Sequence, residues 1–245
     1  EFTRQMDDDF NTSGGLAAIF SLVTSANTYL AERAGVVATA PVLRAADMLV
    51  ELSAVMGIDL ETTSRDPDRG YIINLGFEFM DLAPKAKPHD GHAAYFGLPD
   101  IYRERGVPLA NIHHITWDDL AGKTPFRQAR REQEALLAAF RAFPIMAHNA
   151  SFEDSWLTLH LEGYAEARKA GQVVVIDSRD ICRRIDPDYK TLPHDSRPAA
   201  LESWARRRGT LKAGEKERHL GLEDVDLMFR TVQAEFRERN MFSAT

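Results

Sequence analysis

The chain has 245 residues, 44% hydrophobic and 27% charged, enough for one large domain or a medium domain with a small companion. A net charge of −7 argues against a bulk polyanion binder, although local basic patches matter more than the total. No apolar run approaches the ~18 residues of a membrane span and no signal-peptide pattern opens the chain, so no membrane partner is expected; the single cysteine makes a cytoplasmic setting the expectation.

Residues 1–55 read as a helical segment. DFNTSGG gives turn and cap chemistry, LAAIFSLVTSANTYLAERAG carries apolar residues at helical spacing and stops on Gly35, and PVLRAADMLVELSAV follows with Pro41 near its first turn. Two short amphipathic helices make a poor core alone, so they are expected to pack on something else. With Glu1-Phe2 in place of an initiator methionine, the chain reads as a fragment or a processed product.

From Met56 the pattern changes. MGIDLETTS is a strand, RDPDRG a turn, and YIINLGFEFMDL a second strand in which Ile73, Leu75, Phe77 and Phe79 alternate onto one side. KPHDGHAAYFGLPDIYRERGVP reads as irregular, with its histidines His89 and His92 on loops, as are His113 and His114. PFRQARREQEALLAAFRAF is a helix, PIMA a short strand, and another helix starts near Ala150. QVVVID is a strand, RDICRRI a short helix, DPDYKTLPHDSRP a loop, and AALESWARRRG and HLGLEDVDLMFRTVQAEFRERN are the last helices. This order predicts α/β layers around a mixed sheet. The single cysteine, Cys182, excludes an internal disulfide and a multi-cysteine zinc site, and reads as a buried small residue.

In IDLETT, Asp59 and Glu61 are two apart on a strand, so both carboxylates project from one side. Close carboxylates repel and resist desolvation unless a cation neutralises them, and oxygen ligands suit hard ions. The plainer reading is the wet edge of an amphipathic strand. In ERHLGLEDVDLMF, His219 and Asp224 are five apart and would not stack on one helix, so His219 is expected on the loop before it. An imidazole there suits a general base, and an incidental histidine on a polar helix is the competing reading.

Taken together, IDLETTS with RGYIINLGF, HHITWDDLAGKTPF, MAHNASFEDSWL, VVVIDSRDICRRI, PAALESWARRRG and HLGLEDV resemble, in order over residues 56–240, the DEDD 3′→5′ exonucleases of the histidine subtype, the family of the DNA polymerase III epsilon subunit. The resemblance implies a ribonuclease-H-like exonuclease domain over residues 56–245, with a mixed central sheet flanked by helices. It implies two divalent cations, Mg²⁺ or Mn²⁺, held by Asp59, Glu61, Asp224 and Glu153, with His219 as general base. Thr62, Thr116 and Asn149 would meet the substrate, a 3′ end of single-stranded DNA in preference to RNA, with His148 as a positioning group and Trp117 as core or lid. Arg206, Arg207 and Arg208, with Lys212, Lys216 and Arg218, would supply cationic contacts to the strand, and a solvated helix face is the competing reading for the arginine triplet. A DNA polymerase subunit is an expected partner.

Two departures stand out. The family's second motif places aspartate after the phenylalanine, where this chain has Glu153 and then Asp154. Register with Phe152 selects Glu153 for the metal side, while Ser151-x-x-Asp154 satisfies a capping box and gives Asp154 a structural task. The alternative function is therefore a catalytically weakened nucleic-acid-binding or polymerase-associated module. Second, residues 1–55 resemble the helical domain of cysteinyl-tRNA synthetase around its DDDFNTP-type motif, with Ser13 in place of proline. The catalytic signatures of that enzyme are missing, so aminoacylation is excluded; a tRNA-binding role for this segment is the third hypothesis.

Overall fold

A computed structural model describes residues 54–242, so the two expected N-terminal helices lie outside the described residues. Five strands, β1 (Ala54–Thr62), β2 (Ile72–Asp81), β3 (His89–Tyr95), β4 (Ile145–Ala147) and β5 (Val175–Asp177), form one sheet in the order β3-β2-β1-β4-β5. β2 and β3 run antiparallel, whereas β1 pairs with β4, and β4 with β5, in parallel. Among the described residues the helices are α1 (Ile101–Arg105), α2 (Ala110–His113), α3 (Trp117–Leu120), α4 (Arg130–Ala142), α5 (Ser151–His160), α6 (Tyr164–Lys169), α7 (Ser178–Ile185), α8 (Leu201–Arg207) and α9 (Gly221–Glu238). The mixed sheet flanked by helices matches the expected fold class.

β1 is buried on both sides, and its alternation sorts residues between two cores. Met56, Ile58 and Leu60 pack with Leu136, Phe140, Trp156 and Tyr164 of α4, α5 and α6. Val55 points the other way, into a cluster with Trp204 of α8 and Val225, Phe229 and Val232 of α9. Gly57 continues that second row, and a Cβ there would stand 2.4 Å from Val225 Cγ1. Asp59 and Glu61 complete the row at the end of the strand. The apolar half of the row docks α9, and the same alternation then delivers the two carboxylates to that helix's first turn.

Backbone contact between Gly76 of β2 and Gly221 of α9 fixes where that turn sits. A Cβ on Gly76 would lie 2.0 Å from the carbonyl carbon of Gly221, and the Gly221 N–H donates to Asn74 Oδ1 at 3.2 Å. No side chain larger than hydrogen fits between the two backbones.

Several expectations need correction. β3 lies in the stretch that reads as irregular, and places His89 and His92 on an edge strand rather than on loops. Its residues are largely exposed, so no apolar alternation marks it. β2 is covered on both sides: Phe77 and Phe79 are only partly buried, while Asn74, Gly76, Glu78 and Met80 opposite them are buried. His113 is buried on α2, its Nε2 against Pro108 O at 2.9 Å and its Nδ1 accepting the Ile115 N–H at 3.0 Å.

Nor does the arginine triplet form a free cationic or solvated face. Arg207 pairs with Asp186 Oδ2 at 2.6 Å, and Arg208 with Asp186 Oδ1 at 2.8 Å and Glu235 Oε2 at 2.7 Å, with both acids fully buried. Trp204 Nε1 donates to the same Glu235 oxygen at 2.7 Å. Arg206 pairs with Glu202 at 2.7 Å one turn away. Cys182 is buried beside this network, as expected, and burial pushes its thiol up to about 12.

Candidate metal centre

The ligand oxygens of Asp59, Glu61 and Asp224 all lie within 4.8 Å of one another. A second set, Glu217, His219 and Asp224, meets the same limit and shares Asp224 with the first. His219 lies on the loop before α9, as its spacing implies, in a left-handed conformation at φ 51°. Its Nδ1 is 3.8 Å from Asp224 Oδ2 and 4.0 Å from Glu217 Oε1, and its side chain is about half exposed.

These groups raise one another's proton affinity. Burial, then the charge of Glu217, pushes Asp59 up to about 7. Burial, then Asp59, Asp224, Glu153 and Glu217, pushes Glu61 up to about 10. Burial, then Asp59 and Glu217, pushes Asp224 up to about 9. Full ionisation at neutral pH therefore requires positive charge among them. Protein cations do not supply it, since none of these carboxylates forms an ion pair with lysine or arginine among the described residues. An oxygen-rich, partly buried set of this kind fits a hard divalent cation.

Glu153 stands in the first turn of α5, buried, with its Oε2 lacking any hydrogen-bond partner among the described residues. Burial, then the charge of Asp59, holds its carboxyl well above the usual range. It is in neither 4.8 Å set, and so lies beside the centre with one oxygen uncommitted. Asp154 does not cap the helix. The N-cap is Ala150 without a side-chain bond, and Asp154 Oδ1 instead accepts from Tyr164 OH at 2.7 Å and Arg168 Nε at 2.8 Å. Its task is structural, as expected, but it ties α5 to α6.

The expected substrate residues have polar groups engaged by other groups of the protein. Thr62 is buried and its hydroxyl donates to Ser64 O at 2.7 Å. Thr116 caps α3 through Asp119, donating from N and Oγ1 at 2.8 Å each. Asn149, at φ 74°, donates its N–H to Asp177 Oδ1 at 3.0 Å and accepts from Arg179 Nη1 at 2.7 Å. His148 meets Ser178 Oγ at 2.9 Å and Ala199 O at 2.8 Å, and burial pushes its ring down to about 4, which fits a neutral positioning group. Trp117 is partly buried against Ile115 and Leu120.

Two acids were missed. Glu217 sits in EKER between Lys216 and Arg218, which read as strand-gripping cations, although its place two residues before His219 was a usable signal. Asp177 ends β5, caps α7 by accepting from Arg179 N at 2.9 Å, and contributes to the field on Glu153.

Comparison with known proteins adds two separate likenesses. Residues 1–61 match the DALR domain family. Cysteine–tRNA ligases of Anoxybacillus flavithermus and Heliobacterium modesticaldum are 59% identical over 32 residues and 31% identical over 113 residues. Those matches cover 13% and 44% of this chain but only 7% and 23% of the ligases. Among solved structures, an E. coli exonuclease I–single-stranded DNA complex with bound zinc superposes with a TM-score of 0.58 at 14% identity, over 78% of this chain and 42% of that one. Exonuclease I from Methylocaldum szegediense gives 0.56 at 17% identity, over 77% and 41%. The likeness to exonuclease I is one of fold, and the chain spans less than half the length of those proteins.

Proposed function

We propose that the chain is a metal-dependent 3′→5′ exonuclease acting on single-stranded nucleic acid, DNA before RNA. The observation that carries this reading is the convergence of Asp59, Glu61 and Asp224 within 4.8 Å beside the uncommitted Glu153 oxygen. The exonuclease I fold, seen in one neighbour with single-stranded DNA, supports it. Asp59, Glu61 and Asp224 would hold divalent cations, Mg²⁺ or Mn²⁺ and two in number, with Glu153 reaching one directly or through water. When bound, such cations neutralise phosphoryl charge and acidify water.

The chain's own residues supply the rest. His219, half exposed at the edge of the centre, accepts the proton of the attacking water through its free ring nitrogen while Nδ1 faces Asp224 and Glu217. Hydrolysis by the full chain of an oligonucleotide with a free 3′ end tests the reading. The rate should fall at least about 100-fold with chelator, Asp59→Ala or Asp224→Ala; equal, chelator-insensitive rates would refute it. The glutamate at position 153 favours a second reading, a strand-binding module with weakened turnover, which predicts strand binding without hydrolysis at any metal. A polymerase subunit as partner fits either reading.

A further inference from the structure

A cleft of about 560 Å³ opens from the metal centre, with Glu217 and His219 forming the wall they share. Its size falls in the range of small-ligand sites, roughly 300–1,000 Å³. The lining also carries three cations: Arg179 and Arg183 come from α7, and Arg197 from the loop before α8. The neutral ring of His148 lines it without adding charge.

These arginines differ from those in the interior. Arg207 and Arg208 are ion-paired to the buried carboxylates of Asp186 and Glu235. Arg179 makes no ion pair among the described residues; one amine is fixed on Asn149, and its Nε is buried without any hydrogen-bond partner. A buried guanidinium donor left unmatched is costly, and an anion in the cleft would satisfy it. Arg197 is exposed and also lacks an ion pair among the described residues. Arg183 pairs with Asp180 at 2.8 Å and also hydrogen-bonds the Tyr189 side chain, but the Arg183 and Asp180 side chains are 40% and 50% exposed, so that ion pair is weak and exchangeable. Tyr189, half-buried on the same cleft, adds an aromatic surface of the kind on which a base or sugar packs.

We infer that this cleft binds the phosphate of the nucleotide on the 5′ side of the scissile bond, so the chain grips a strand over at least two nucleotides. The inference rests on the exonuclease reading for its polarity. The shared Glu217–His219 wall sets the direction, since a strand leaving the carboxylate cluster there next meets the arginines. Asn149 and Arg179 act as one unit: the left-handed turn at Asn149, pinned by Asp177, orients its carbonyl oxygen to fix the guanidinium plane. Phosphate recognition by guanidinium forks then orders the strand ahead of hydrolysis.

The test uses the full chain and a 5′-fluorescein-labelled DNA hexanucleotide. Anisotropy is measured with chelator across a salt series, and hydrolysis with Mn²⁺. Arg183→Ala with Arg197→Ala should weaken binding about 10- to 100-fold. It should also flatten the log–log salt slope by about 0.7 per lost phosphate contact. KM should rise by a similar factor, with the unfolding temperature unchanged because both side chains are substantially exposed. Arg179→Lys, which keeps charge but not the fork, should weaken binding less than Arg179→Ala. Arg130→Ala, an exposed arginine outside the cleft, is the control. Unchanged affinity, slope and KM in the double variant, with hydrolysis intact, would overturn the cleft and leave the exonuclease reading standing. Arginine-dependent binding with no hydrolysis would uphold the phosphate site and sink the exonuclease reading.

Discussion

Glu153 and Asp154 are adjacent acids in one helical turn, and the structure assigns them opposite consequences. Replacing Glu153 by glutamine removes a buried carboxyl whose neighbours, Asp59 above all, oppose its ionisation, and whose Oε2 has no partner among the described residues. Without cations, the variant should be as stable as the parent to within about 1 kcal/mol, or more stable, because a like-charge conflict is relieved. With cations it should lose at least about 100-fold in turnover. Asp154→Asn does the reverse. It keeps an acceptor for Tyr164 OH but loses the charged bond to Arg168, whose side chain is 18% exposed against 34% for Asp154. After discounting for solvent, that costs about 1–2 kcal/mol. At about 2–4 °C per kcal/mol for a unit of this size, the shift is readable by thermal unfolding in chelator. Activity with Mn²⁺ should stay within about threefold of the parent. If Glu153→Gln destabilised as much as Asp154→Asn while turning over normally, the assignment would be wrong.

The acidic cluster also predicts a pH dependence. Asp59, Asp224 and Glu61 are raised to about 7, 9 and 10 from ordinary values of 3.8, 3.8 and 4.5. The cation-free fold therefore binds more protons than the unfolded chain, so this contribution is fully present below about pH 4 and is lost as pH rises through about 7–10. Divalent cations replace those protons, so Mn²⁺ should raise the unfolding temperature more at pH 9 than at pH 6; a shift independent of pH would contradict this. Arg208→Met strips Glu235 of one buried cation and weakens the hold on Asp186, and should cost about 3 kcal/mol in urea unfolding; a cost under about 1 kcal/mol would make the network incidental. Gly76→Ala sets a methyl 2.0 Å from the Gly221 carbonyl carbon. It should force α9 away from β2 and lower both stability, by at least about 1–3 kcal/mol, and Mn²⁺ affinity, read by calorimetry.

What could be read from the chain follows from the range of the interactions. Asp59 and Glu61 were legible because strand alternation is local and strict, and Ile58 and Leu60 mark the opposite side. His219 was placed by helical arithmetic alone, its distance of five from Asp224 excluding a shared helix. β3 was hidden because HDGHAAY sits at a sheet edge, where neither side of the strand needs to be apolar. The arginine triplet was misread since the partners of Arg208 lie 20 to 30 residues away, at Asp186, Asp188, Glu235 and Glu238. The local capping pattern around Asp154 was real as a pattern, but Tyr164 and Arg168, one helix later, offered a better partnership than the helix's own backbone.

The most direct test of the central claim is a time course with a 5′-labelled single-stranded DNA 20-mer and Mn²⁺, resolved to single nucleotides, with Asp224→Asn in parallel. The account predicts a ladder that shortens one nucleotide at a time from the 3′ end, absent with chelator and in Asp224→Asn. Release of label as a mononucleotide at the first time point, internal cleavage without a ladder, or no cleavage under any divalent cation would contradict it.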